Sequence, residues 1–133
     1  MDLHPATFES FEQRVLPEVA KRQMGAIGMK TLCGSGVPVL KGTVTAEEAI
    51  RYALSLPVAA IVSGIDSIDI LRQNLEIVRA FRPMTTDEMA ALRARCATVA
   101  SDGRYELYKT TKHYDGKEGR QQHGYPTKEE LPL

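Results

Sequence analysis

Two short segments of this sequence combine glycine, hydroxyl and charged residues as phosphate-binding loops do. Residues 29–36 read Met-Lys-Thr-Leu-Cys-Gly-Ser-Gly, in which the glycines would let backbone N–H groups approach a phosphate while Lys30 supplies positive charge. Residues 63–67 read Ser-Gly-Ile-Asp-Ser and lead into a predicted helix, whose first free N–H groups and dipole favour an anion. We therefore expect ligand chemistry at these two loops.

Each loop also has a purely structural interpretation. A Gly-Ser-Gly sequence often only gives the chain slack before a helix, and the first loop lacks the Gly-Lys-Ser or Gly-Lys-Thr ending of a Walker loop. An aspartate such as Asp66 often caps its own helix, and its charge opposes a bound phosphate. No catalytic residue is predicted, because Ser35 has no neighbouring His or acid to activate it. No metal site is predicted either, since Cys33 and Cys96 lack metal-ligand spacing, and two buried thiols are expected.

Composition narrows the class of partner. The chain has 133 residues, with 17 Lys plus Arg against 17 Asp plus Glu, so it lacks the basic excess that favours nucleic acids or anionic membranes. Its longest apolar stretch falls far short of the roughly 20 residues that span a bilayer, and its first residues do not resemble a signal peptide. We expect a cytoplasmic protein of at most one domain, with no nucleic-acid or membrane partner.

The two loops follow two predicted strands. Residues 24–29 and 58–63 are short, apolar and uncharged, which is typical of strands buried on both faces of a parallel sheet. For residues 24–29, periodicity alone leaves a helix open. Ligands of α/β proteins gather at the carboxyl ends of such strands, where both loops lie. The predicted fold class is therefore α/β with parallel strands.

Helical patterns surround the strands. The first helix should break near Pro17, whose ring fits the first turn of a second piece. Residues 32–38 are predicted to form a loop, and the segment from residue 102 to the end a polar arm. Three more helices are predicted. One covers residues 46–56 and begins with a Thr45–Glu48 capping box, and the next runs from Asp66 or Ser67 to about Arg82. The last begins with a capping box of Thr85 and Glu88, and its inward-facing residues are predicted to be Met89, Leu92, Cys96 and Val99.

Four segments, in order and at matching spacing, resemble the C-terminal part of the bacterial aldo/keto reductases. They are residues 15–17, 25–30, 49–54 and 64–67, the last followed by Leu71 and Asn74. The similarity extends over about residues 2–112. It implies that residues 1–101 form the C-terminal part of a TIM (β/α)8 barrel, namely strands seven and eight of the family with their helices, and that residues 102–133 form an extension.

The resemblance implies a cofactor site rather than a catalytic centre. Family members reduce carbonyl compounds with a nicotinamide cofactor, usually NADPH, and their catalytic tyrosine, lysine, aspartate and histidine have no counterpart here. The positions that match the family's nucleotide contacts are Lys30, Thr31, Leu32, Gly64, Ile65, Asp66, Ser67, Gln73 and Asn74. Asp66 stands where a serine is common, and Ile70 where many members place an arginine against the 2′-phosphate. Both differences weaken the case for NADP, so NAD and NADP remain open.

Two strands cannot close a barrel, so strand edges and apolar faces of this chain should be exposed. One interpretation is a reductase fragment that is inactive alone. In another, the chain is part of a longer, working oxidoreductase, or one piece of a split enzyme that an N-terminal barrel fragment completes. The alternative from a different class is a stand-alone nucleotide-binding or interaction module without redox activity. Self-association fits the exposed faces.

Overall fold

The helices and strands follow the predicted order along the chain. The computed structural model describes residues 10–34, 36–100, 104–105, 117, 121, 124 and 126–130. The elements are a turn of π-helix (Phe11–Val15), α1 (Leu16–Lys21), β1 (Ile27–Gly28), α2 (Val37–Leu40), α3 (Ala46–Leu54), β2 (Ala60–Ile61), α4 (Ile68–Arg79), α5 (Thr86–Ala100) and a 3-10 turn (Lys128–Glu130). Within the described residues, the protein is mixed α/β with a two-stranded parallel sheet, as predicted.

The N-terminal helix is split in two, as the position of Pro17 predicts. Ser10 caps the π-helical turn, since its side chain accepts a hydrogen bond of 3.0 Å from the Gln13 backbone. Pro17 then lies in the first turn of α1, where its missing N–H costs nothing and its fixed φ suits the helix. The proline therefore sets where the second piece begins.

Helix α3 begins with the predicted capping box. Glu48 N donates to Thr45 Oγ1 at 3.0 Å, and Thr45 N donates to Glu48 Oε2 at 2.8 Å. The Glu48 carboxylate also pairs with Arg95 of α5 at 2.7 Å. Partial burial opposes the charge of Glu48, but hydrogen bonds from Arg95 and from the Thr45 backbone outweigh this and lower its pKa. The cap thus joins the start of α3 to α5.

Replacing Thr45 with alanine should lower the free energy of unfolding by about 1 kcal/mol, because the Glu48 N–H loses its acceptor. Thr86→Ala is the matched control, since Thr86 is exposed in the first turn of α5 and outside its capping box. Because folding lowers the pKa of Glu48, its stabilising contribution is present at neutral pH and is lost as the pH falls below 4.5 through the folded pKa. Urea denaturation of both variants at neutral and acidic pH measures these changes in the free energy of unfolding. Equal losses of stability for Thr45→Ala and Thr86→Ala would contradict the predicted contribution of the cap.

The hydrophobic core lies between α3 and α5. Its buried residues are Val44, Ala49, Tyr52, Leu92, Cys96, Ala100 and Tyr105. Leu92 and Cys96 face inward as predicted, and Met89 packs against the cluster. The prediction for Val99 was wrong, because this residue is exposed and the next residue, Ala100, takes the buried position. Cys33 is half-buried rather than buried.

The two strands are parallel, with Ile27 opposite Ala60 and Gly28 opposite Ile61. They are shorter than predicted, at two residues each, although hydrogen bonds from Ala59 N to Ala26 O and from Val62 N to Gly28 O extend the pairing. The expectation of burial on both faces was wrong. Helix α3 packs against β2, whereas the face that carries Ile27 and Ala60 is exposed, because no described element covers it.

Two further predictions differ from the structure in detail. The expected loop 32–38 is shorter, because α2 begins at Val37 and holds Pro38 in its first turn. Helix α4 begins beyond Ser67 and ends at Arg79, and none of its residues is fully buried. The polar arm predicted from residue 102 lies largely outside the described residues, but Tyr105 is buried in the core cluster.

Within the described residues, no helix is both long enough and apolar enough to cross a membrane.

Candidate functional site

The parallel pairing of β1 and β2 brings the two sequence-predicted loops to one edge of the sheet. Since Gly28 lies opposite Ile61, the chain leaves both strands at the same level and in the same direction. Lys30, Thr31 and Leu32 follow β1, and residues 64–67 follow β2. We refer to these two loops together as the carboxyl edge.

The loop after β1 is a tight turn with several left-handed residues. Lys30 and Cys33 have φ values of 55° and 58°, and Gly34 has 78°. The turn is closed by hydrogen bonds from Cys33 N to Lys30 O at 2.8 Å and from Gly36 N to Leu32 O at 3.0 Å. These conformations cost free energy at the two non-glycine positions, so surrounding structure must hold them.

Of the three candidate residues in this loop, only Lys30 is exposed. Its side chain passes over Gly34, where an added Cβ would lie 3.6 Å from Lys30 Cδ and 3.8 Å from Nζ. Thr31 is buried, and Leu32 packs against the core cluster. The loop therefore presents the Lys30 ammonium beside the backbone of a tight turn. Its other two candidate residues, Thr31 and Leu32, face the protein interior and hold the loop in place.

The loop after β2 is exposed at all four candidate positions, which are Gly64, Ile65, Asp66 and Ser67. Ser67 caps α4, because its Oγ accepts a hydrogen bond of 3.2 Å from Ile70 N. The sequence left the start of this helix open between Asp66 and Ser67, and the structure places the cap at Ser67, with Asp66 one residue before it. An added Cβ at Gly64 would meet nothing within 4 Å, so packing leaves open space beside this residue.

The two candidates on α4 differ in their surroundings. Gln73 is exposed, whereas Asn74 is half-buried and donates from Nδ2 to Ser63 Oγ at 3.0 Å. This hydrogen bond fixes the start of the loop after β2 to the middle of α4. Asn74 thus positions the carboxyl edge whether or not it also contacts a ligand. The eleven-residue separation of the pair gave no signal in the sequence.

The structure adds a polar cluster that the sequence did not predict, formed by Glu12, Tyr52 and Arg93. The Tyr52 hydroxyl donates to Glu12 Oε1 at 2.7 Å and accepts from Arg93 Nη1 at 2.7 Å. The Arg93 guanidinium lies 3.6 Å from the same carboxylate oxygen and 5.8 Å from the centroid of the Tyr52 ring. The residues come from the π-helical turn, α3 and α5, 40 and 41 positions apart, so no local pattern could have revealed them.

The cluster is a structural junction rather than part of the carboxyl edge. Burial, reinforced by the hydrogen bond to Glu12 and only partly offset by Arg93, raises the pKa of Tyr52 well above its ordinary value. Tyr52 is therefore a neutral hydrogen-bond donor at physiological pH. The other carboxylate oxygen, Glu12 Oε2, is buried and accepts no hydrogen bond in the described part of the chain. Tyr52 was not assigned a catalytic role from the sequence, and its contacts are with these helices.

Comparisons with known proteins give no family for the chain. No protein-family model matches the sequence, and comparisons with curated proteins and with solved structures find no significant match. Among the described residues, no group of three or more His, Cys, Asp or Glu side chains could hold a metal ion.

Proposed function

We propose that the carboxyl edge forms part of a nicotinamide dinucleotide site in an oxidoreductase of the aldo/keto reductase type. The observation that carries this proposal is the parallel register of β1 and β2, which joins both candidate loops at one sheet edge. Ligands of α/β proteins bind at such edges. The sequence resemblance supplies the class of ligand.

The chemistry of the two loops supports binding of a pyrophosphate and a ribose. The ammonium group of Lys30 is exposed and lies beside the backbone of the tight turn at Gly34. A positive charge next to such a turn is suited to binding an anion. Asp66 is exposed just before α4 and suits a ribose hydroxyl better than a 2′-phosphate, which its charge would repel. Ile70 is half-buried and brings no cation to this end of α4. These features favour NAD over NADP.

The exposed face of the sheet supports a barrel origin for the two strands. Ile27 and Ala60 are exposed on it, and strand alternation places the exposed Met29 and Val62 on the same side, while α3 packs against β2. In a (β/α)8 barrel the helices lie outside the sheet, and the face inside the barrel carries apolar side chains, many of them branched. We infer that the remaining strands, and the catalytic groups for hydride transfer, come from polypeptide beyond these residues, and that the chain alone is inactive.

The same exposed face favours one alternative, an interaction module without redox activity. An apolar surface of this kind is typical of a protein-protein interface. The two functions make different predictions for the isolated chain. The cofactor site requires measurable dinucleotide affinity at the carboxyl edge, whereas the interaction module requires only association through the exposed face.

Isothermal titration calorimetry of the 133-residue chain should detect NADH binding, and NADPH should bind more weakly. Lys30→Ala should reduce NADH affinity about tenfold, because one charge-assisted hydrogen bond to the pyrophosphate is worth about 1.4 kcal/mol. Lys41→Ala is the control, since Lys41 is an exposed lysine just after α2 and outside the carboxyl edge. No binding of either cofactor at millimolar concentration, or an equal loss in both variants, would contradict the proposed site.

A further inference from the structure

Helices α3 and α5 are joined by two ion pairs with the same arrangement. Glu48, in the first turn of α3, pairs with Arg95 of α5 at 2.7 Å. Glu88, in the first turn of α5, lies 3.8 Å from the Arg51 guanidinium of α3. The start of each helix is therefore attached to a later turn of the other. We call these four residues the reciprocal pairs.

Each glutamate of the reciprocal pairs also completes the capping box of its own helix. Glu48 Oε2 accepts a hydrogen bond from Thr45 N at 2.8 Å, and Glu88 Oε2 accepts one from Thr85 N at 2.7 Å. One carboxylate thus fixes the first turn of its helix and also holds that turn against the neighbouring helix. The shape of each helix end and the contact between the helices depend on the same two charges.

The reciprocal pairs lie beside the hydrophobic core between α3 and α5. Helix α5 supplies three buried residues to this core, Leu92, Cys96 and Ala100. Cys96 directly follows Arg95 in the chain and is 0% exposed. Burial raises the pKa of its thiol. A movement of α5 away from α3 would bring this thiol into contact with solvent.

We propose that the reciprocal pairs form a pH-sensitive switch, in which protonation of Glu48 and Glu88 releases α5 from α3 and opens the core between them. Protonation removes the negative charge that attracts each arginine, and it also weakens the acceptor of each capping box. Both glutamates act on the same contact, so their losses reinforce each other.

The pH range of the switch follows from the surroundings of the two carboxylates. Partial burial opposes the charge of Glu48, but hydrogen bonds from Arg95 and from the Thr45 backbone outweigh this and lower its pKa. The hydrogen bond from the Thr85 backbone, with a smaller contribution from Arg51, lowers the pKa of Glu88. The closed form is therefore fully stabilised above the ordinary value of 4.5, and the stabilisation is lost as the pH falls through the folded pKa values.

Two other titratable groups lie at the contact with α5. The Cys96 thiol faces Glu48. Glu12 contacts α5 through Arg93, within the polar cluster that also contains Tyr52. Neither group is changed in the variants below, so their own response to acid is common to all of them.

The opening extends to the loop after β1. Leu32 and Cys33 of this loop pack against the core that the reciprocal pairs border. Release of α5 therefore also loosens the loop that carries Lys30. Binding of a dinucleotide does not enter this argument, so the switch and the proposed function can succeed or fail separately.

Reaction of the two thiols with 4,4′-dithiodipyridine, from about pH 7 to about pH 3, tests the proposal because this reagent still reacts with thiols in acid. Each rate is divided by that of the chain unfolded in urea at the same pH, and peptide mass spectrometry assigns it to Cys33 or Cys96. In the wild type, both normalised rates should stay constant above pH 4.5 and rise below it. We expect a rise of at least about fivefold for Cys96.

The double variant Glu48→Gln with Glu88→Gln removes both charges but keeps both capping boxes, because glutamine also serves at this position of the box. At neutral pH it should already show a Cys96 rate about fivefold above that of the wild type, with a flatter pH profile. Glu47→Gln with Asp87→Asn is the matched control. These two residues are exposed in the same first turns and are outside the reciprocal pairs, so this variant should follow the wild type.

A single substitution guards against misfolding. If the double variant loses the circular dichroism of the wild type at neutral pH, Glu48→Gln alone takes its place and should show a smaller change in the same direction. A wild-type Cys96 that stays protected throughout the pH range overturns the proposal. So does a glutamine variant that keeps the wild-type pH profile, or a control that flattens it equally. A rise at Cys96 without one at Cys33 overturns the extension to the loop after β1.

Discussion

Replacing Tyr52 with alanine is expected to lower the free energy of unfolding by about 3–5 kcal/mol, the usual cost of removing a buried aromatic side chain. Tyr52 is 0% exposed and lies in the core cluster between α3 and α5. The substitution leaves a cavity and also removes the group that joins Glu12 to Arg93. Urea denaturation measures the loss.

Tyr52→Phe separates the hydroxyl from the ring. It keeps the packing but removes both hydrogen bonds of the hydroxyl, and the partly buried Glu12 carboxylate loses its donor. The expected cost is about 1–3 kcal/mol. A double-mutant cycle with Glu12→Gln should show coupling between the two positions. Additive effects would mean that the hydrogen bond contributes no stability.

The pH dependence gives an independent readout of the same hydroxyl. Because folding raises the pKa of Tyr52, its contribution is complete below the ordinary value of 10.0 and is lost as the pH rises through the folded pKa. The stability difference between wild type and Tyr52→Phe should therefore hold from neutral pH to about pH 10 and narrow at higher pH. A difference that grew above pH 10 would contradict this assignment.

Leu92→Ala is expected to cost about 2–5 kcal/mol, whereas Leu75→Ala should cost less than about 1 kcal/mol. The two substitutions remove the same atoms from helices α5 and α4. Leu92 is 4% exposed within the core cluster, and Leu75 is 42% exposed on a helix without a fully buried residue. The reason for the difference is therefore burial alone.

The comparison of Leu92→Ala with Leu75→Ala tests which part of the fold contributes most to the free energy of unfolding. Midpoints and slopes of urea denaturation for the two variants give both free energies. A large loss for Leu75→Ala at low protein concentration would show that Leu75 is covered in the folded monomer, contrary to its exposure in the structure. A small loss for Leu92→Ala would contradict a core between α3 and α5.

The helices show how far local signals reach. The Thr45–Glu48 and Thr85–Glu88 capping boxes and the break near Pro17 were read from neighbouring residues, and the structure confirms all three. These signals depend on hydrogen bonds and backbone angles within one turn, so the sequence contains them entirely.

The burial of the strands could not be predicted in the same way. An uncharged apolar run such as residues 58–63 is equally compatible with one covered face or two, because burial depends on which elements pack nearby. Likewise, helical spacing allows either Val99 or Ala100, three and four residues after Cys96, on the inner face of α5, and only the fold shows that Ala100 is the buried one.

For the candidate site, the sequence alone determined which loops carry glycine, Lys30 and Asp66, and that both follow strands. Only the tertiary structure decided that β1 and β2 pair in parallel, so that the loops share an edge, and that Thr31 and Leu32 turn inward. It also joined Asn74 to Ser63, and Tyr52 to Glu12 and Arg93. The physical reason is range: caps and turns form within a few residues, whereas pairing, burial and distant hydrogen bonds exist only after the chain has folded on itself.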